Sequence, residues 1–147
     1  MTDNKIITDR KEMLEAVRNI GYALLYASDT LKADREVVLE AVKTDGTALK
    51  YADASFTTDR EVVLVAVRNN GWMLKYASDS LKDDREVVLE AVKSYGLASN
   101  GNALEYASDT LKADREVVLE AIRNGGELQY ASEELQNDPE LIKLAEG

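Results

Sequence analysis

The stretch Asp34-Arg35-Glu36-Val37-Val38-Leu39-Glu40-Ala41-Val42 decides the fold, because it recurs almost unchanged along the chain. It returns from Asp59, Asp84 and Asp114, and in a looser form from Asp9, so that successive starts lie 25, 25, 25 and 30 residues apart. A degenerate sixth start, Asp138-Pro139, follows 24 residues later. Self-similarity with a period in the twenties marks a stacked repeat array. The chain therefore reads as one domain, 1–147, with repeats at about 9–33, 34–58, 59–83, 84–113 and 114–137 and a C-terminal cap at 138–147.

Each repeat opens with a helix. Asp34 suits an N-cap, its carboxylate placed to accept orphan backbone N–H groups, and Glu36 sits in the first turn, where the helix dipole favours negative charge. Gly46 is expected to end the helix as a left-handed C′ residue, with Gly21, Gly71 and Gly126 in the equivalent place. Val37, Val38, Leu39, Ala41 and Val42 cover about two-thirds of the circumference, leaving only Glu36, Glu40 and Lys43 on the remaining strip. A surface helix needs a narrower apolar stripe, so neighbours on several sides are implied.

A shorter segment follows, Ala48 to Ala52, recurring at Ala23–Ala27, Met73–Ala77 and Ala103–Ala107 and, shortened, at Leu128–Ala131. Its length suits a two-turn α-helix or a 3₁₀ turn, and the sequence leaves both open. The onward loop carries one apolar anchor: Leu31, Phe56, Leu81, Leu111 and Leu135. The expected fold class is thus all-α, short two-helix repeats stacked as an α-solenoid.

One such unit cannot stand alone. Ordering each residue costs roughly 1–2 kcal/mol of backbone entropy, while fully burying a Val or Leu returns about 1.5–3 kcal/mol. Stacking is obligatory, and the ends must differ from the middle. Glu12 stands where the internal repeats have valine and completes a capping-box pattern with Asp9. Pro139 occupies a first-turn position where its missing N–H does no harm, and Glu140-Leu141-Ile142-Lys143-Leu144 reads as a closing helix.

The run DREVVLEAV at 34–42 and 84–92, continued from Asp114 to Ala121, and the YAS triplets at 26–28, 76–78, 106–108 and 130–132 resemble the domain-of-unknown-function 4116 family. The likeness covers nearly the whole chain and departs at Asp9-Arg10-Lys11-Glu12-Met13 and at Tyr51-Ala52-Asp53. It implies a helical repeat and brings no established activity. More loosely, the pattern is similar to leucine-rich repeat variants that alternate α and 3₁₀ helices.

Composition narrows the function. Of the 147 residues 45% are apolar, and 18 basic against 28 acidic side chains give a net charge of −10. That opposes direct binding to nucleic acid or anionic lipid, which needs a basic surface. Cysteine and histidine are absent, which removes disulfides, thiolate nucleophiles, the usual zinc ligands and the one side chain that titrates near neutrality. No apolar run reaches the roughly 18–20 residues of a membrane helix, and the N-terminus lacks a signal-peptide shape, so a cytoplasmic protein is the expectation.

The repeated residues read as scaffold. Arg10, Arg35, Arg60, Arg85 and Arg115 sit where the helix dipole disfavours positive charge, and forks to loop aspartates such as Asp29 or Asp109 would hold them and tie repeats together. The tyrosine column Tyr26, Tyr51, Tyr76, Tyr106 and Tyr130 is expected to pack between layers with its hydroxyls on polar partners. Asp79, Asp83 and Asp84 lack the alternation and glycine of a calcium loop. No phosphate loop, nucleophile elbow or paired-acid signature appears, so neither an enzyme nor a cofactor or metal site is expected.

Function should show where the repeats differ. Two variable columns flank the helix end: Asn19-Ile20, Thr44-Asp45, Asn69-Asn70 and Ser94-Tyr95 before the glycine, then Tyr22, Thr47, Trp72, Asn102 and Glu127 after it. The extra residues Leu97-Ala98-Ser99-Asn100 fall there too, and insertions in solenoids cluster on the binding face. The third repeat diverges most, with the only tryptophan, Trp72, then Met73, and Val65 in place of the strip's glutamate. Trp, Tyr and Met anchor interfaces. The sequence thus points to a non-catalytic protein-binding module whose candidate residues are Trp72, Asn70, Asn69, Met73, Val65, Tyr95 and Tyr22. The competing reading is an acidic decoy filling the nucleic-acid site of a basic partner protein, on the strength of Glu36, Glu61, Glu86 and Glu116 with Glu40, Glu90 and Glu120.

Overall fold

A computed structural model describes residues 5–94 and 102–147. Long helices cover Arg10–Asn19, Arg35–Thr44, Arg60–Asn69, Arg85–Lys93 and Arg115–Arg123, and Pro139–Glu146 closes the stack. Each packs on the next along the chain. Local chemistry starts them all: Asp9, Asp34, Asp59, Asp84, Asp114 and Asp138 each accept a first-turn backbone N–H. The wide apolar band is filled as expected in repeats 2 to 5, with Val37, Val38, Ala41 and Val42 and their counterparts buried and Leu39 half-buried, while in repeat 1 Glu12 is exposed and Ala16 half-buried.

The second segment is a 3₁₀ helix throughout: Gly21–Tyr26, Gly46–Tyr51, Gly71–Tyr76, Ala103–Tyr106 and Leu128–Tyr130. The onward loop is not irregular but a third helical piece. It is one α-turn at Asp29–Lys32, Asp79–Lys82, Asp109–Lys112 and Glu133–Gln136, and a 3₁₀ turn at Ala54–Thr58. Its anchors Leu31, Phe56, Leu81, Leu111 and Leu135 are buried. The repeat is therefore a triplet rather than a pair, with the 3₁₀ helices forming a ribbon alongside the long ones. One backbone hydrogen bond stitches each ribbon end to the preceding repeat, as in Asp53 N–H to Lys32 C=O and Ser78 N–H to Thr57 C=O, both 2.9 Å. Ile7 plays that part for repeat 1, accepting from Ser28 N–H and forming an isolated parallel bridge with Ala27.

The glycines serve a different purpose from the one expected. Only Gly125 has a left-handed backbone (φ 89°) among the described residues. Gly21 and Gly46 instead lie against the next repeat's helix, where a Cβ would stand 2.6 Å from Ala41 O and 2.5 Å from Ala66 O. The helices end on extended residues, Ile20, Asp45 and Asn70. At Gly21, Gly46 and Gly71 glycine lets one repeat touch the next, whereas in repeat 5 the left-handed glycine is Gly125 and Gly126 lies against Ala121 of its own helix.

The arginine column does tie repeats together, but not through the loop aspartates. Each Nε–H donates to the N-cap aspartate of the next helix: Arg10 to Asp34 (2.7 Å), Arg35 to Asp59 (2.8 Å), Arg60 to Asp84 (2.7 Å), Arg85 to Asp114 (2.9 Å) and Arg115 to Asp138 (3.2 Å). A second guanidinium nitrogen meets Glu36, Glu61, Glu86, Glu116 or Glu140 of that same helix. One carboxylate thus caps its own helix and holds the previous one, which offsets the poor placement of arginine at a helix start. The ladder stops at both ends by substitution. Lys11 replaces the acceptor glutamate in repeat 1, and Pro139 replaces the donor arginine in the closing helix.

The ladder makes stability depend on pH. The guanidiniums hold the Asp34, Asp59, Asp84 and Asp114 carboxyls below the usual range, with backbone N–H donors adding to the effect. Folded values below the unfolded value of about 4 mean that this contribution is present above pH ~4 and is lost as pH falls through the folded values. Acidification from 7 towards 5 also relieves repulsion within a chain of net charge −10. The melting temperature followed by circular dichroism is therefore expected to hold or rise between pH 7 and about 5, then to fall steadily below about 4. A melting temperature still climbing at pH 2.5 would remove the ladder from the stability of the fold.

Candidate functional site

The ribbon carries an aromatic cluster that spans three repeats. Side chains three apart eclipse on a 3₁₀ helix, so Trp72 and Lys75 share a face of Gly71–Tyr76, and the Lys75 ammonium lies 5.1 Å from the indole centre. Tyr76 meets the indole edge-on at 5.8 Å, and Tyr106 from the next repeat does so at 6.5 Å. Lys50, from the preceding repeat, places its ammonium 5.7 Å from the same indole. Lys75 also lies 5.9 Å from the Tyr76 ring and 6.0 Å from that of Tyr106. Three repeats thus build one aromatic cluster roofed by two ammonium groups, an arrangement favoured by the negative ring faces.

The other sequence-derived candidates scatter. Met73 is fully buried in the core and has no surface to offer. Asn70 is a cap, its side-chain oxygen accepting from Trp72 N–H at 3.1 Å. Asn69 is a tie between repeats, accepting from Gly46 N–H at 2.7 Å. Val65 is half-buried at the helix position where Glu40 and Glu90 pair with Arg18 and Arg68, so it belongs to the charged helix strip and not to the cluster. Tyr22 is 51% exposed on the ribbon of repeat 1. Tyr95 and the inserted residues 97–100 lie outside the described residues. The tyrosine column is half-buried to exposed rather than enclosed, and its hydroxyls meet no protein partner among the described residues.

Lys50 and Lys75 were the residues sequence reasoning passed over. Their column reads Leu25, Lys50, Lys75, Glu105, Gln129, as variable as the columns beside the glycine.

Among the described residues, Asp34, Asp53, Asp59, Asp84, Asp114 and Asp138 have carboxyls moved below their ordinary range, by arginine or by a backbone N–H cap. Groups of three or more metal-ligating side chains are absent among the described residues. A separate cleft of about 570 Å³ near the C-terminus, between Ile122, Leu128 and Leu144, has Glu127 as its one ionisable side chain. Among the described residues no helix is long and apolar enough to cross a membrane.

Comparison with known proteins gives a family and nothing nearer. No curated protein and no solved structure matches the chain. The family model described as a domain of unknown function matches residues 9–57, 59–100, 97–128 and 114–145. Its first match spans two of the 25-residue units. With matches running from the first repeat into the closing helix, the chain belongs to the family of the domain of unknown function DUF4116.

Proposed function

We propose that the protein is a non-catalytic protein-interaction module and that it binds through the 3₁₀ ribbon around Trp72. The observation that carries this reading is the contrast between the two faces. On the helix face the recurring charges are spent within the array: Glu36, Glu61, Glu86 and Glu116 meet an arginine of the preceding repeat, and Glu40, Glu90 and Glu120 also have a cation in reach. On the ribbon, a half-buried indole and two half-buried tyrosines lie under two exposed ammonium groups that have no carboxylate partner among the described residues. Aromatic anchors ringed by polar groups are what protein interfaces use. The same pairing weakens the acidic-decoy reading, since the glutamates it relied on are neutralised where they stand.

Trp72→Ala is the direct test. A partner retained by the wild-type protein is expected to lose about 2 kcal/mol or more of binding free energy in a calorimetric titration against the variant. Far-UV circular dichroism should keep its helical shape. Equal affinity for the two proteins would take the ribbon out of the interface.

A further inference from the structure

The ribbon is graded along the stack, and the gradient bears on what can lie against it. At repeat 1 the outward residues are apolar: Tyr22, Leu25 and Tyr26 are 51%, 41% and 38% exposed. At repeats 2 and 3 they are Lys50 and Lys75, exposed on the Trp72 cluster with no carboxylate within salt-bridge distance among the described residues. At repeats 4 and 5 the lysine position holds Glu105 and Gln129, with Glu127 in the neighbouring column of repeat 5, all three exposed. Lys50 and Lys75 are set apart from the other lysines by converging on one aromatic cluster, which places two positive charges side by side over an apolar floor.

Resting on the reading that the ribbon is the contact surface, we infer that its partner presents an acidic peptide segment. Two carboxylates seat over Lys50 and Lys75, and a large apolar side chain seats on Tyr22 and Leu25. Charge complementarity selects carboxylates at the centre. Repulsion from Glu105 and Glu127 fixes the direction, so the apolar residue lies towards repeat 1. End-to-end stacking of a second copy is disfavoured, since the ladder is closed at both ends by Lys11 and Pro139.

The test uses the full ¹⁵N-labelled chain and a synthetic ten-residue probe carrying one leucine and two glutamates spaced to span two repeats. Matched probes carry lysine, or phosphoserine, at the glutamate positions. The acidic probe is expected to shift the Trp72 indole N–H and the Leu25, Lys50 and Lys75 amides in a saturable way. The K50E/K75E variant should weaken it at least tenfold, and added salt should weaken it too. Tighter binding of the lysine probe, or an affinity untouched by K50E/K75E while Trp72→Ala abolishes it, overturns the acidic assignment and leaves the ribbon surface standing. A phosphoserine probe that binds more than tenfold tighter than the glutamate probe assigns the site to phosphate instead. Sedimentation showing a dimer that K50E/K75E dissolves assigns it to a second copy. If no probe moves the ribbon resonances at millimolar concentration, both the acidic assignment and the ribbon surface fall.

Discussion

Gly46→Ala is expected to destabilise the protein by about 1–3 kcal/mol and to split its unfolding into two steps. The new methyl would stand 2.5 Å from Ala66 O, a backbone carbonyl already fixed by the N–H of Asn70 at 2.8 Å, so the obstacle cannot swing aside as a side chain would. Asn69 presses from the same side, its oxygen bound to Gly46 N–H. Removing a glycine stiffens the unfolded chain and returns about 0.4–1 kcal/mol, which is too little to offset the separation of repeats 2 and 3. In a one-dimensional array that loss is local. Repeats 1 and 2, left with one interface between them, should melt at lower denaturant than repeats 3 to 5. Circular dichroism sees all of the helices, whereas the single tryptophan reports from repeat 3. An early ellipticity phase that Trp72 fluorescence does not follow is the expected signature. Gly147→Ala is the control, since its Cβ would meet nothing nearer than 3.7 Å. A Gly46→Ala curve that overlays the wild type would refute close approach as the reason for glycine.

What could be read from the sequence was what is local to one repeat. An aspartate before an apolar run caps its helix whatever lies around it, and Asp34, Asp59, Asp84 and Asp114 do so. Features set by how repeats touch were less legible. The glycine column was visible, but a left-handed turn and a close approach ask for the same residue. The arginine column was recognised as a tie, yet loop and N-cap aspartates offer the same chemistry, and only the offset between neighbouring helices brings Asp59 rather than Asp29 to Arg35. Lys50 and Lys75 escaped because an exposed lysine is ordinarily just solvated. Seeing more in them requires knowing that the indole of Trp72 lies beneath both.

Met73 and Trp72 show how adjacent residues of similar character take opposite roles, and they supply the last test. Met73 sits at the position that holds Ala23, Ala48 and Ala103 in the other complete ribbons, a column of small residues facing the long helices. Its larger side chain is wholly enclosed there. Met73→Ala leaves a hole in the core of repeat 3 and is expected to cost about 2–5 kcal/mol, whereas Met73→Leu, which keeps the volume, should cost less than about 1.5 kcal/mol. Trp72→Ala removes two edge-on aromatic contacts at about 0.5–1.5 kcal/mol each and the contact of a half-buried ring with the edge of the core, and leaves the fully buried side chains in place. Urea denaturation of the three variants should therefore rank Met73→Ala as the least stable, while only Trp72→Ala impairs binding to the ribbon. A Met73→Ala protein within 1 kcal/mol of wild type would mean that the thioether fills no essential space and that the boundary between core and contact surface lies elsewhere in repeat 3.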